Sequence, residues 1–505
     1  MGRRMQISPG DRVDSDLLER IRRALLSGEG VALSSDDSEL SWRELAGRIA
    51  RLEADLDANG IAPGATVAVL GRNTISCAIC IFAIVLSRRC AIIINPFTSP
   101  EAALESARQL SPQAILIPVG DDMLRAANSD PALLVLQEDG ALVRLSPAAQ
   151  REPSGDRRAG LIVYTSGTTG DPKPLHLSLS TLSRAMHEIE RTNAGFGDCR
   201  CDDGLWPALI QYSPLAHIGG VLTLLRAAAQ GRSTVMLGKF DAERWAEIVQ
   251  QYQLKTTGLP PSMLRMVLEA EIAPERLSSL ISVWSGTAPL RAEDRQAFSG
   301  RYGIPVLGNY GATEFCGAIA AWSLEDFRMH FDTRPSAVGR LDPTVAQARV
   351  RSLAGEIVEG EGQVGVLEFK VGRIGDHWIP TSDLGSVDGD GFLTLHGRKD
   401  DVIIRGGFKL SPAKISDVLR QHPAVRDAAV VGVADKRLGQ LPVAVVELEL
   451  GAKLDSAEIR EFVRARLPAY FVPARIKQVQ SLPRNSAMKL DRRAIASLFH
   501  EPGDH

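Results

Sequence analysis

The sequence predicts an α/β fold: a large N-terminal domain of parallel α/β subdomains plus a small β-barrel-like subdomain, then a small mobile α+β C-terminal domain. Three observations lead there. Short β-branched runs alternate with helical segments from Thr66 onward, the texture turns to strands and tight turns near Pro343, and a compact helix–strand mixture follows residue 400. At 505 residues the chain is too long for one hydrophobic core, so two or three domains are expected. The expected boundaries are 1–399 for the N-terminal domain, with βα subdomains to 342 and a β-rich subdomain over 343–399, and 400–505 for the C-terminal domain.

Taken in order, TVAVLG (66–71) reads as a strand, Thr74–Leu86 as a helix and AIIIN (91–95) as a strand. Pro100–Leu110 then reads as a helix and AILIP (114–118) as a strand. The rhythm resumes in LIVYTSG (161–167), STVMLG (233–238), LISVWSG (280–286) and PVLGNYG (305–311), each ending in a small, Gly-rich turn. Ligands of open α/β sheets bind outside the carboxyl ends of the strands, so these turns are where a site is expected. Beyond residue 343, ARVRSL, GEIVE, GVLEFKV and GFLTLHG are short strands. GEGQVG (360–365) has the G-x-G-x-x-G spacing but leads into a strand, and reads as a hairpin turn. GRKDD (397–401) is a plausible hinge. After it come a strand pair around VIIRGGFKL, a helix from Ser411, strands DAAVVGV and PVAVVELEL, and a helix from Ser456.

Composition narrows the function classes. A net charge of -3 and a pI of 6.4 give no positive field to recruit nucleic acid or an anionic membrane. The apolar run Ile75–Leu86 is stopped by Ser87, Arg88 and Arg89, too short to span a bilayer, so no integral membrane association is expected. MGRRMQISPG lacks the apolar stretch of a secretory signal, and Gln6 spoils a myristoylation pattern, so the expected location is the cytoplasm. Six cysteines make no disulfide framework; Cys77 and Cys80 read as core packing, and Cys199 and Cys201 fall in a polar loop.

LIVYTSGTTGDPKP (161–174) carries the strongest chemical signal. A strand runs into Thr165, Ser166, Gly167, Thr168, Thr169 and Gly170, with Lys173 close behind. Glycines permit close backbone approach, N–H groups and hydroxyls surround phosphate oxygens, and the lysine adds charge. The spacing is not that of a Walker loop.

This loop resembles the signature of the adenylate-forming superfamily of acyl- and aryl-CoA synthetases, peptide-synthetase adenylation domains and luciferases. Further matches follow in family order: YSPLAHIGGV (212–221), LPPSML (259–264), WSGTAPL (284–290), NYGATE (309–314), AVGR (337–340), TSDLG (381–385), GRKDD, and a lysine in PRNSAMKLDRR (483–493). The resemblance implies ATP-dependent activation of a carboxylate to an acyl-adenylate with pyrophosphate release, then transfer to the thiol of coenzyme A. It implies ATP, Mg²⁺ and coenzyme A as co-substrates and cofactor. By the same resemblance, residues Thr165–Gly170 and Lys173 hold the β- and γ-phosphates. Thr313 and Glu314 meet the α-phosphate and Mg²⁺, and Lys489 neutralises charge on the reacting phosphate. Tyr310 stacks on adenine beside Gly286, Thr287, Ala288, Asn309 and Gly311, while Asp383, assisted by Arg398, binds the ribose. Asp400 is the hinge, Gly406 and Gly407 line the coenzyme A tunnel, and His217 separates the acyl pocket from it.

Amino-acid-activating members carry an acid that YSPLAHI lacks, which favours an aryl or fatty carboxylate. Neighbouring His217, Ile218, Val221, Trp284, Phe315 and Cys316 are the candidate pocket lining, each equally readable as packing. The chain departs from the family pattern at Met488 (usually Gly), Thr287 (usually Gly), Lys414 and Ser416 (usually acids) and Leu179 (usually His). Two other readings stand beside the CoA ligase: delivery to a carrier-protein thiol or an amine, and a noncatalytic acyl-nucleotide-binding protein. A homodimer is open to it.

Overall fold

A computed structural model describes residues 9–97, 99–120, 132–137, 141–144, 159–165, 173–194, 206–352, 354–406, 408–484 and 490–499. Outside them lie Ser166, Gly167, Thr168, Thr169, Gly170, Cys199, Cys201, Gly407, Met488 and Lys489. The chain divides into two compact units: Met1–Gln347 with Lys370–Ile379, and Ala348–Phe369 with Pro380–His505. The break expected between residues 399 and 400 falls inside the second unit.

In the first unit a seven-stranded sheet runs in the order Leu142–Arg144, Ala132–Leu136, Ala114–Ile117, Thr66–Leu70, Cys90–Ile94, Gly160–Thr165, Lys173–Ser178. Its five central strands are parallel and the two edge strands antiparallel. Parallel strands covered on both faces read as continuous apolar runs, as TVAVL and CAIII do. Val67, Val69, Ala91 and Ile93 point to one side, into a core shared with helices Trp42–Ala58 and Ile75–Leu86. Ala68, Leu70, Ile92 and Ile94 point to the other, against Ala103 and Ala107 of helix Pro100–Gln109. Ile75–Leu86 starts where the Thr74 hydroxyl accepts from the Cys77 N–H, and eleven of its twelve residues are buried. Cys77 and Cys80 belong to this core; burial pushes the Cys80 thiol up to about 12. Arg89, which closes the apolar run, is itself fully buried, bonding Asp57 at 2.5 Å and the Ile61 carbonyl at 2.8 Å.

Of the later repeats, LIVYTSG joins the first sheet as Gly160–Thr165, and the others are distributed over two further sheets. Thr234–Met236, the strand expected from STVMLG, lies between Leu209–Gln211 and Val31–Ser34 in a four-stranded sheet completed by Glu39–Ser41. Thr256–Gly258, Ser282–Ser285 and Val306–Ala312 form a separate parallel set. The short strand Val31–Ser34 was not anticipated; its parallel partner lies two hundred residues away, and local pattern cannot reveal such pairing.

Beyond residue 345, Ala346–Arg351 pairs with Ile357–Val358 and Trp378–Val387 with Phe392–Arg398, all antiparallel. GEGQVG is not a hairpin turn: Ile357–Val358 lies beyond Ala346–Arg351, on the side away from Gly365–Val371. The segment is therefore a return connection, with the Gly362 N–H donating to the Val387 carbonyl. The C-terminal part is a five-stranded sheet in which Val425–Asp435 and Gly439–Leu448 form a long hairpin, with Arg475–Val479 added in parallel. Helices Pro412–Arg420 and Ser456–Arg464 cover one face through Ile415, Leu419, Ile459 and Val463.

Ile93→Ala, which deletes a side chain 1% exposed in a central parallel strand, is expected to cost about 2–5 kcal/mol. The expected readout is a lowered midpoint of urea unfolding followed by circular dichroism.

Candidate active site

The polar groups of the first unit gather where the strands end. Ser282–Ser285 runs parallel to the first half of Val306–Ala312, pairing Trp284 with Leu307 and Ser285 with Gly308. From Asn309 the same strand pairs antiparallel with Gly317–Ala321, and the register shifts between Tyr310 and Gly311. The two strand ends meet closely: a Cβ on Gly286 would stand 2.1 Å from Asn309 Oδ1. Gly311 is equally constrained, since a Cβ there would lie 2.4 Å from the Gly317 carbonyl oxygen. Tyr310 is largely buried, with its ring 6.3 Å from that of Phe315.

A 3-10 turn, Thr313–Phe315, then reverses the chain. Cys316 follows in the left-handed region at φ 55°, and Gly317 at φ 120°. Glu314 is exposed on this turn, and no described residue forms an ion pair or hydrogen bond with its carboxylate. A hard carboxylate oxygen open to solvent suits Mg²⁺, which takes one or two carboxylates and completes its shell with phosphates and water. Among the described residues no group of three or more His, Cys, Asp or Glu could hold a metal ion.

Behind the turn lies a residue that sequence reasoning missed. Arg373, 4% exposed, donates from Nε to the Phe315 carbonyl at 2.7 Å and from Nη2 to the Ala318 carbonyl at 2.9 Å. Its Nη1 bonds the Glu188 carboxylate on helix Leu179–Ala194. Nothing in VGRIGD marks this arginine; only the folded chain brings it to residues nearly sixty positions upstream.

Following strand Leu209–Gln211 of the four-stranded sheet, His217 is the N-cap of helix Ile218–Ala229 and is half-buried. Its N–H donates to the Pro214 carbonyl at 2.9 Å, and a Cβ on Gly220 would lie 2.2 Å from that oxygen. Tyr212, also missed, has its hydroxyl 2.4 Å from where a Gly258 Cβ would stand, and burial raises its pKa. Of the candidate acyl-pocket residues, Ile218, Val221, Phe315 and Cys316 are buried in packed interior, whereas Trp284 is half-buried. Burial pushes the Cys316 thiol up to about 12, leaving it un-ionised near neutral pH. In the seven-stranded sheet, Thr165 pairs antiparallel with Lys173.

The second unit holds its own set. Asp383 and Arg398 face each other across antiparallel strands, 3.4 Å apart, and the Asp383 N–H donates to Thr381 Oγ1 at 3.0 Å. The hydroxyl of Ser382 donates to the Asp400 carboxylate. Arg492 bonds Asp401 at 2.7 Å; burial raises the Asp401 carboxyl, and the guanidinium opposes that shift. Gly406, at φ 55°, donates its N–H to the Leu438 carbonyl at 2.8 Å. Of the two departures on helix Pro412–Arg420, Ser416 is buried and Lys414 sits 5.6 Å over the Phe471 ring.

Ligands of open α/β sheets bind outside the carboxyl ends of the strands, and Gly286 and Asn309 stand at such ends. The chain belongs to the AMP-binding enzyme family, whose pattern matches residues 22–371, with the AMP-binding enzyme C-terminal domain matching residues 414–489. An indoleacetate–CoA ligase of Aromatoleum aromaticum is 28% identical over 94% of this chain and 96% of its own. A 2-succinylbenzoate–CoA ligase of Geobacillus kaustophilus is 30% identical over 95% of this chain and 97% of its own. The fold matches that of ATP-bound MatB from Rhodopseudomonas palustris with a TM-score of 0.80, at 24% identity, covering 96% of this chain and 99% of that one. No helix among the described residues is long and apolar enough to cross a membrane.

Thr287 stands at φ 69°, a region that costs a β-branched residue roughly 1–2 kcal/mol. Thr287→Gly removes that strain but adds chain entropy to the unfolded state, so a net stabilisation of up to about 1 kcal/mol is expected. Thermal denaturation with and without ATP is the check. Gly286→Ala must displace Asn309, and a weakening of ATP affinity by about 10-fold, or ~1.4 kcal/mol, is expected in calorimetric titration.

Proposed function

We propose that this chain is an AMP-forming acid–thiol ligase that activates an aromatic carboxylic acid and passes it to coenzyme A. The carrying observation is the strand-end cluster of Gly286, Asn309, Tyr310 and Glu314, within a chain that matches acid–CoA ligases along nearly its whole length. Both relatives quoted act on acids with an aromatic ring, which supports an aryl over a fatty substrate.

In the first half-reaction a carboxylate oxygen forms a bond to the α-phosphorus of ATP, and the bond to the bridging oxygen of pyrophosphate breaks. Such transfer asks the protein for positioning and charge neutralisation rather than covalent participation. The segment Thr165–Gly170 and Lys173 hold the β- and γ-phosphates. Gly286, Thr287, Ala288, Asn309, Tyr310 and Gly311 receive the adenine, while Asp383 and Arg398 take the ribose hydroxyls. Thr313 and Glu314 face the α-phosphate. Mg²⁺, when bound through Glu314, supplies charge neutralisation at the phosphates. Lys489 adds positive charge to the α-phosphate. In the second half-reaction the thiol of coenzyme A loses its proton, its sulfur bonds to the acyl carbon and AMP departs. Asp400 is the hinge for the change between steps, Gly406 and Gly407 admit the pantetheine, and His217 stands between acyl pocket and thiol.

Pyrophosphate release is expected to depend on an added aryl acid, with indole-3-acetate and 2-succinylbenzoate as probes, and acyl-CoA is expected when coenzyme A is supplied. Release independent of every carboxylate sinks adenylation. Acyl-adenylate that persists despite coenzyme A moves the acceptor to a carrier-protein thiol or an amine. Lys489→Ala is expected to slow adenylation by ~10²-fold or more while sparing thioester formation from supplied acyl-adenylate. Equal loss in both steps assigns the lysine to the fold.

A further inference from the structure

We infer that Arg373 is a positioning residue for the turn bearing Thr313 and Glu314, strapping that turn to the helix that follows the phosphate hairpin. This rests on the reading of Glu314 as the contact to nucleotide phosphates and metal. The guanidinium grips the chain on both sides of Cys316 and Gly317, through the carbonyls of Phe315 and Ala318. Those two bracketed residues have positive φ, and Cys316 is not glycine. A non-glycine residue in the left-handed region persists when its surroundings over-determine it, and such conformations cluster where geometry serves function.

The third arm reaches Glu188 on Leu179–Ala194, the helix that begins directly after strand Lys173–Ser178. Lys173, the first residue of that strand, pairs with Thr165 at the mouth of the phosphate loop. One planar fork therefore joins the segment leaving the phosphate loop to the turn that presents the exposed carboxylate. A rigid fork of fixed donors suits this task, and a lysine would supply only a point charge. Buried ion pairs are a weak source of net stability, because desolvation offsets the attraction. Positional definition of a functional turn accounts for this one better than stability does.

The test uses the full-length protein, with ATP and MgCl₂ as probes. Calorimetric titration gives the ATP affinity with and without MgCl₂ for the wild type, Arg373→Lys, Glu188→Gln and Glu314→Gln, and circular dichroism reports folding. The wild type is expected to bind ATP more tightly with MgCl₂. Folded Arg373→Lys is expected to keep its metal-free affinity within about 2-fold and to lose about 10-fold of the magnesium-dependent gain, as outer-shell substitutions do. Glu188→Gln, whose amide oxygen still accepts a hydrogen bond, is expected to lose less. A folded Arg373→Lys with the full gain overturns the proposal, and so does failure of both Arg373→Lys and Glu188→Gln to fold, which makes the strap a folding element. If Glu314→Gln retains the gain, or the wild type shows none, the reading of Glu314 itself falls, and that outcome is distinct from loss of the strap alone.

Discussion

Val306–Ala312 runs parallel to one neighbour over its first half and antiparallel to another over its second, and Asn309, Tyr310 and Glu314 lie at or just after that exchange of partners. A strand that stayed parallel would continue into a helix on the sheet face, as the preceding βα repeats do. Here the antiparallel partner returns within a few residues, so the chain must turn sharply at Thr313–Phe315. The turn costs backbone strain at Cys316 and excludes any side chain at Gly311. In return, Glu314 stands at the strand end beside Asn309 and Tyr310 instead of along a helix.

Two kinds of glycine constraint operate here, and they have different physical origins. Gly286 and Gly220 are surrounded: a Cβ at either would collide with Asn309 or with the Pro214 carbonyl. Gly406 has a positive φ, and a Cβ added there would meet only a leucine methyl at 3.3 Å. Thr287 occupies similar backbone territory with the wrong residue type, which makes it the most strained position among the adenine-contact candidates. Ser382, within TSDLG, has its hydroxyl bonded to the Asp400 carboxylate. The proposed hinge residue thereby acquires a local tether.

What the sequence by itself determined was of two sorts. Periodicity located the parallel strands and the buried helix Ile75–Leu86, because two-sided burial demands unbroken apolar runs. Ordered motifs located the family and its chemistry, because glycine, hydroxyl and acidic residues at set spacings are a pattern that sequence alone carries. Tertiary structure alone decided the rest: which sheet Thr234–Met236 joins, that GEGQVG is a return connection, and that Arg373 grips a turn far upstream in the chain. Each of these depends on partners tens or hundreds of residues apart. A strand's neighbour and an arginine's acceptors are backbone groups that every residue possesses, so no residue type in the sequence announces them.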